Sequence, residues 1–586
     1  MCDSKRVGLG LVVASPWLTF PLSWLPRSWI HFRYDIVLPL PEIILVLGLF
    51  LTSASFLKRT TSEKNDIDGG LSVPRGASLA LLAVLASGVV STRFSEHSHF
   101  GLGLLPRLCG NVAIFLLAAN VPRDRLGQFG KWWMITAVIV AANGLLRLGS
   151  EPEFISTLGN WNFLGTYLAA SAVIGIAIGG TWSLLGTLVL LGAMWFCGSR
   201  GAWLALGAVG GVWFLGWGDR FLRWWQARVI IVLLLVISAG GLAWPYVLRQ
   251  WQADVRPVIW QATLRMIAAR PLVGHGLGTY VAEYPKYRSP EYFLRPKATN
   301  VTDHAHNELL EIAAEQGLIG LAATLSLWAT AVWCGLCICR QSHGTERRVT
   351  LGSLGAMAVL MIHGLVDIDL RYLPNQSLLW LLMGLSMGAN ASPARWTRST
   401  VHSKPARWCA AAACLILGIW IAVAAVIQPL MGDWLDRQAR IAEENGDWIA
   451  AEERASEALG VQPFRLSTRY LLAGVLSRMP TRSARTMVID QCLRIEELAP
   501  DYADVTYNLG QSYVTVNRQQ EALPYLRRAV EINPYNVDRR VALAMALRDV
   551  GQDDEAVREL DRALEMQPDH QDARALRQRI QKESTP

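Results

Sequence analysis

Apolar runs of membrane length fill roughly the first three quarters of the chain. They fall at 7–20, 36–57, 76–92, 101–120, 131–148, 162–180, 182–198, 201–218, 228–246, 317–339, 350–366, 375–390 and 409–430. A spanning helix needs about 20 apolar residues, with about 17 as a lower limit, so 12 or 13 crossings are expected, 7–20 being short and holding Pro16. From about Trp434 the pattern changes to charge-rich sequence without long apolar runs. There Pro500, Pro534 and Pro568 recur every 34 residues, Leu509 aligns with Leu543, Leu526 with Leu560 and Ala529 with Ala563. This period predicts two helical hairpins, 501–534 and 535–568, with 434–467 as a weaker earlier copy. The expected architecture is all-α: a polytopic membrane bundle over 1–430, with an outer loop at 247–316, then an α-solenoid over 431–586.

Composition agrees with the pattern. The chain has 586 residues, 52% hydrophobic and 17% charged, with 24 Trp. A soluble chain carries about 25% charged residues, so a soluble enzyme is excluded for the greater part of it. Of the nine cysteines, all but Cys2 and Cys492 lie in or beside apolar stretches. Their spacing gives neither a disulfide framework nor a zinc set, and Cys334 and Cys337 read as small packing residues. No cleavage site of the A-x-A kind follows the first apolar run, so that helix is expected to remain.

Short loops of one set carry Lys5 and Arg6, Lys58 to Arg75, Arg123 to Lys131, Arg220 to Arg228, Arg340 to Arg348 and Arg395 to Arg407, and the alternate set holds few cations. Cytoplasmic loops are the ones enriched in Lys and Arg. The loop 247–316 is therefore expected on the outer side, and thirteen crossings would put the C-terminal domain outside as well. That loop itself carries eight cations, among them Arg249, Arg256, Arg265, Arg270 and Lys297. Long loops escape the charge rule, yet cations in this number also suit an anionic substrate.

The candidate chemistry centres on Thr302 to Leu321. His304 and His306 precede Asn307, and apolar positions at Leu309, Leu310, Ile312 and Ala313 follow at helical spacing. Glu308, Glu311 and Glu315 fall on a different face of that helix. An imidazole titrates near neutrality and can accept a proton from a hydroxyl. If the segment is helical, residues two apart point about 200° apart, so only one histidine faces a substrate. His306, expected to begin the helix, is the preferred base, with His304 in support. No Cys, His or Asp set stands at metal-ligand spacing beside them, so no metal or other cofactor is expected. His275, between two glycines, reads as loop structure, and His363 as a packing residue of an apolar helix. Asp367 and Asp369 either orient a catalytic group or pair with nearby Arg371. Asn160 and Asn162 either cap a helix or contact a substrate. Arg200 either anchors a helix end by snorkelling or binds an anion, and Arg256 is either a surface cation or a second anion ligand.

Four stretches stand in order along 150–390: GNWNFLG at 159–165, SRGAW at 199–203, RPVIW with RPLVGHGLG over 256–278, and HAHNELLEIAAEQGLIGL at 304–321. Together they resemble the O-antigen ligase and polymerase superfamily, and the 34-residue period resembles the tetratricopeptide repeat. The first resemblance implies a GT-C-type glycosyltransferase that takes a glycan from undecaprenyl diphosphate and passes it to an acceptor hydroxyl on the outer face of a bacterial inner membrane. It implies metal-independent, inverting transfer. In the family pattern Arg200 and Arg256 hold the diphosphate and the histidine of the HAHN stretch serves near the acceptor; Asn160, Asn162, Asn307 and Asp367 are the remaining candidate contacts. The expected partners are the lipid-linked glycan, an acceptor lipid, glycan or protein, and a protein on the repeats; nucleic acid is not expected. Exopolysaccharide polymerase and protein O-oligosaccharyltransferase are alternatives within the family. A lipid-linked sugar transporter is the alternative outside it, but it would place charge near the bilayer midplane rather than at one face.

Overall fold

The computed structural model describes residues 74–121, 123–146, 156, 160–217, 254–296, 298–387, 416, 418–420 and 423–583. The expected helices 7–20, 36–57, 228–246 and part of 409–430 lie outside the described residues, as do Gly159, Arg249, Lys297 and the cationic loops at 5–6, 58–64, 220–228 and 395–407. Among the described residues every regular element is a helix. In chain order the longer ones are α1 (Arg75–Arg93), α2 (Ser98–Ala119), α3 (Leu126–Leu146), α4 (Trp161–Ile178), α5 (Thr181–Cys197), α6 (Arg200–Trp217), α7 (Arg256–Ala269), α8 (Glu308–Gln341), α9 (Gly344–His363) and α10 (Leu373–Met387). The repeats follow as α11 (Gln428–Glu444), α12 (Trp448–Val461), α13 (Leu466–Arg478), α14 (Arg482–Leu498), α15 (Val505–Thr515), α16 (Gln519–Ile532), α17 (Val537–Asp549), α18 (Asp553–Met566) and α19 (Gln571–Glu583).

The chain divides into two compact units. The first holds residues 1–244, 271–277 and 306–430, and the second 245–270, 278–305 and 431–586. In the first unit α1, α2, α3, α4 and α8 are long and apolar enough to cross a membrane, and α5 is a shorter apolar helix. The chain is a multi-pass membrane protein. Its helices α4 and α9 pack along each other at the centre, α10 lies against α2, and α8 against α1. Small residues permit this approach: a β-carbon on Gly355 of α9 would meet the Trp213 ring at 2.8 Å, and one on Gly130 of α3 would meet Ile178 at 2.6 Å. Large apolar side chains such as Trp182, Trp195, Leu204 and Trp333 face outward, as hydrocarbon solvent allows and water would not.

In the second unit the repeats form helical hairpins whose leucines and alanines close the layers. Leu509, Leu526, Leu543 and Leu560 are all buried, with Ala522, Ala529, Ala556 and Ala563 between them. Gly510 leaves room for Leu526, whose side chain would lie 2.7 Å from a β-carbon there. The hairpins turn through a left-handed residue, Gly446, Asn517 or Gly551; such a residue lets the next amides bond back to the helix end, as Arg518 N does to Tyr513 O at 2.9 Å and Gln552 N to Leu547 O at 2.9 Å. The pair α13–α14 fills the 34-residue slot between 467 and 500, which the sequence pattern left unmarked. It turns instead through Pro480 and a Thr481 cap, whose hydroxyl accepts from Ala484 N at 3.1 Å, and so lacks the Gly or Asn signal.

The rest of the second unit comes from the long loop. The Trp260 indole of α7 donates to Ala305 O at 2.9 Å. Thr263 and Tyr280 share a hydrogen bond of 2.6 Å, and the Tyr280 and Tyr284 rings stack at 5.2 Å. Arg288 lies over the Phe293 ring and donates to Asn300 O at 3.0 Å. Asn300 in turn donates to Asp504 at the start of α15, at 2.6 Å. Asp504 also pairs with Arg539.

Candidate functional site

The start of α8 is fixed by Asn307. Its Oδ1 accepts from Leu310 N at 3.0 Å, capping the helix, while its Nδ2 donates to Leu365 O at 2.9 Å. The helix begins at Glu308, whose amide donates to Gly364 O at 2.7 Å. His306 therefore does not begin the helix. It precedes the cap with φ +52°, a left-handed conformation uncommon outside glycine and found where a site constrains the chain. Residues 301–305 are extended or irregular, so the 200° argument has no helix to act on. His304 belongs to the second unit and His306 to the first.

Downstream of α9 the loop 364–372 carries Asp367, Asp369 and Arg371. Their closeness in sequence makes local pairing the expectation, but each reaches a different element. Asp367 accepts from Asn162 Nδ2 of α4 at 2.7 Å, and its Oδ1 lies 4.0 Å from His306 Nδ1. Asp369 lies 3.2 Å from His363 Nδ1 at the end of α9. Arg371 faces Glu308, Glu311 and Glu315 at 3.0, 3.5 and 2.8 Å. Burial raises the Asp369 carboxyl above the carboxylate range, against the pull of His363. Burial would discharge Arg371, but the three carboxylates outweigh it and hold the guanidinium firmly charged. The three glutamates lie at i, i+3 and i+7, one stripe of the helix. That spacing was the available signal for this cluster; sequence reading puts the stripe on a separate face without assigning it a partner.

On α4, Asn160 is the cap: its Oδ1 accepts from Asn162 N at 2.8 Å. That frees the Asn162 side chain for Asp367. The α5–α6 junction is built by small residues. Gly198 is left-handed with φ +65° and ends α5. Ser199 is buried, and its hydroxyl accepts from Ala202 N at 3.4 Å. A β-carbon on Gly165 would sit 2.8 Å from that of Ser199, and one on Gly201 would sit 2.7 Å from Cδ2 and Nε2 of His363. Arg200 is exposed in the first turn of α6, where orphan amides and the helix dipole favour an anion. Arg256 occupies the matching position of α7 in the second unit, with Asp254 capping its amide at 2.9 Å.

Residues 271–277 rejoin the first unit. At Gly317, with φ +68°, α8 breaks. Leu318 N and Ile319 N go to Pro271 O and Leu272 O at 2.7 and 3.3 Å, while Ala314 O and Glu315 O receive His275 N and Gly276 N at 3.0 and 2.8 Å. The loop thus takes both halves of two broken helical rungs. Gly274, φ +71°, and Gly317 lie so close to the opposing backbone that a β-carbon on either would collide. His275 serves here through its backbone amide, in keeping with its reading as loop structure.

Comparison with known proteins bears on both regions. Residues 185–325 match the O-antigen ligase family and residues 516–580 the tetratricopeptide repeat. The first match takes in Arg200, Arg256, His304, His306 and Asn307 and ends before Asp367. Among solved structures, this chain is similar to the crystal structure of MamA protein, 18% identical with 26% of this chain and 87% of that one covered and a TM-score of 0.24. It is similar also to TTC0263, a thermophilic TPR protein in Thermus thermophilus, 20% identical with 30% and 94% covered and a TM-score of 0.22. No curated protein matches.

Proposed function

Starting from a multi-pass chain that carries an O-antigen ligase domain and a tetratricopeptide region, we propose that it transfers a glycan from undecaprenyl diphosphate to an acceptor hydroxyl on the outer face of the inner membrane. The observation that carries this reading is His306, in a left-handed backbone position with Nδ1 facing Asp367 at 4.0 Å. Asp367 orients the ring, and Asn162 orients Asp367. The other ring nitrogen, Nε2, accepts the acceptor hydroxyl proton as the oxygen attacks the anomeric carbon. Tightening of the 4.0 Å separation accompanies substrate binding, as is usual for catalytic hydrogen bonds. The imidazolium formed then faces a carboxylate.

The bond to the diphosphate breaks in the same step, and negative charge grows on the leaving oxygen. Arg200 and Arg256 hold that charge, because guanidinium groups bind phosphate bidentately and stay protonated. With the charge held by arginines, transfer proceeds without a divalent metal and survives EDTA. The repeats lie outside the cytoplasm and bind a protein that serves the reaction. The deciding experiment is deletion of the chain, followed by identification of the glycan-bearing molecule that is lost. A lost lipid-linked glycan with accumulating undecaprenyl-linked donor supports ligase activity; a shortened polymer or an unglycosylated protein selects another acceptor. An unchanged glycan profile with full donor turnover sinks the reading. Failure of a cysteine at Ser512 to react with an impermeant reagent in spheroplasts sinks the topology.

A further inference from the structure

We infer that His363 and Asp369 are a positioning pair for the donor side of the site, setting the first turn of α6 and with it Arg200. The inference rests on the proposed role of Arg200 in holding the diphosphate. His363 closes α9 and is 1% exposed, and Asp369 is 0% exposed. Neither Asp369 oxygen finds a well-directed hydrogen-bond donor among the described residues; His363 Nδ1, at 3.2 Å, is its counter-group. The opposite edge of the imidazole, Cδ2 and Nε2, lies against Gly201, filling space that a side chain there would occupy. Gly201 adjoins Arg200, and Ala202 beside it is fully buried. Burying two ionisable side chains together is costly in desolvation, and apolar residues of similar size often stabilise as well or better. A pair kept at this depth in a membrane bundle is by default functional. Here it wedges the ring between a loop carboxylate and the helix start that carries Arg200, and Ser199, packed on Gly165, fixes the same turn from the other side.

The test is a compensation cycle on the full chain in lipid: Gly201→Ala, His363→Ala and both together. Donor and acceptor KM, membrane level and the thiol reactivity of Arg200→Cys in each background are measured. Each single change is expected to raise donor KM about 10-fold with acceptor KM unmoved. The added methyl meets no imidazole once His363 is gone, so the double variant is expected to be no worse than the poorer single one. His363→Ala is expected to alter the reactivity of the cysteine at 200. Multiplying effects, or equal shifts in both KM values, overturn the inference, as does unchanged cysteine reactivity. If reactivity shifts and the cycle compensates in thermal stability while Arg200→Ala leaves donor KM unchanged, the positioning stands and the diphosphate role of Arg200 fails.

Discussion

In the repeats, Arg494 meets Glu497 and Arg528 meets Glu531, each pair three residues apart on one helix with both side chains at least half exposed. In the first unit, Arg371 meets Glu308 across 63 residues of sequence and Asn162 meets Asp367 across 205, with the acceptor carboxylates mostly buried. Pairs of the first kind are screened by water and contribute little. In pairs of the second kind, loss of one partner strands a charge in low dielectric. The exposed pairs of the repeats can therefore change cheaply, and stability there rests on the buried leucines and alanines together with a few covered pairs such as Arg540 with Glu559. The bundle depends on its polar contacts for geometry, because they tie the loop 364–372 to three different helices.

This contrast can be broken at graded points. The largest effect is expected for His306→Ala: a loss of transfer of about 10²–10⁴-fold at unchanged membrane level, measured as glycan transferred per unit protein. His304→Ala should cost less, and near-normal activity in the His306 variant would remove it from the base's role. Arg371→Met strands Glu308, Glu311 and Glu315 and should destabilise the bundle by about 3–5 kcal/mol, read as a lowered melting temperature in detergent. Leu543→Ala should cost about 2–5 kcal/mol by leaving a cavity between repeat helices, read from the unfolding of the repeats. Arg200→Ala and Arg256→Ala should each remove a charge-assisted contact of about 1.5–3 kcal/mol, roughly 10- to 100-fold in donor use, with Lys restoring only part. Arg494→Ala should change stability by less than about 0.5 kcal/mol; a larger loss would erase the contrast.

Much of this was legible before any coordinates. The apolar runs over 76–218 and 317–390 marked helices α1 to α6 and α8 to α10, and α1 to α4 and α8 reach hydrocarbon length, a coarse constraint that few sequences meet by chance. The 34-residue period marked two hairpins through Leu509, Leu526, Leu543 and Leu560. The polar contacts were harder. Asp367, Asp369 and Arg371 alternate along an irregular loop, and nothing local says that successive side chains will fan out to α4, α9 and α8. The glutamate stripe of α8 reads the same whether water or a guanidinium covers it. Gly317 looked like one more glycine in an apolar helix, since a break mended by a segment far upstream leaves no local trace.

That mended break has a consequence for how the protein is made. Residues 271–276 leave the ribosome before 314–319, so the donors and acceptors that complete the two interrupted rungs already exist when α8 reaches the bilayer. An amide entering hydrocarbon without a partner costs several kcal/mol, and the order of synthesis spares Leu318 and Ile319 that wait. Moving the 271–277 segment downstream of α8 in a rearranged gene would deliver the patch after the helix that needs it.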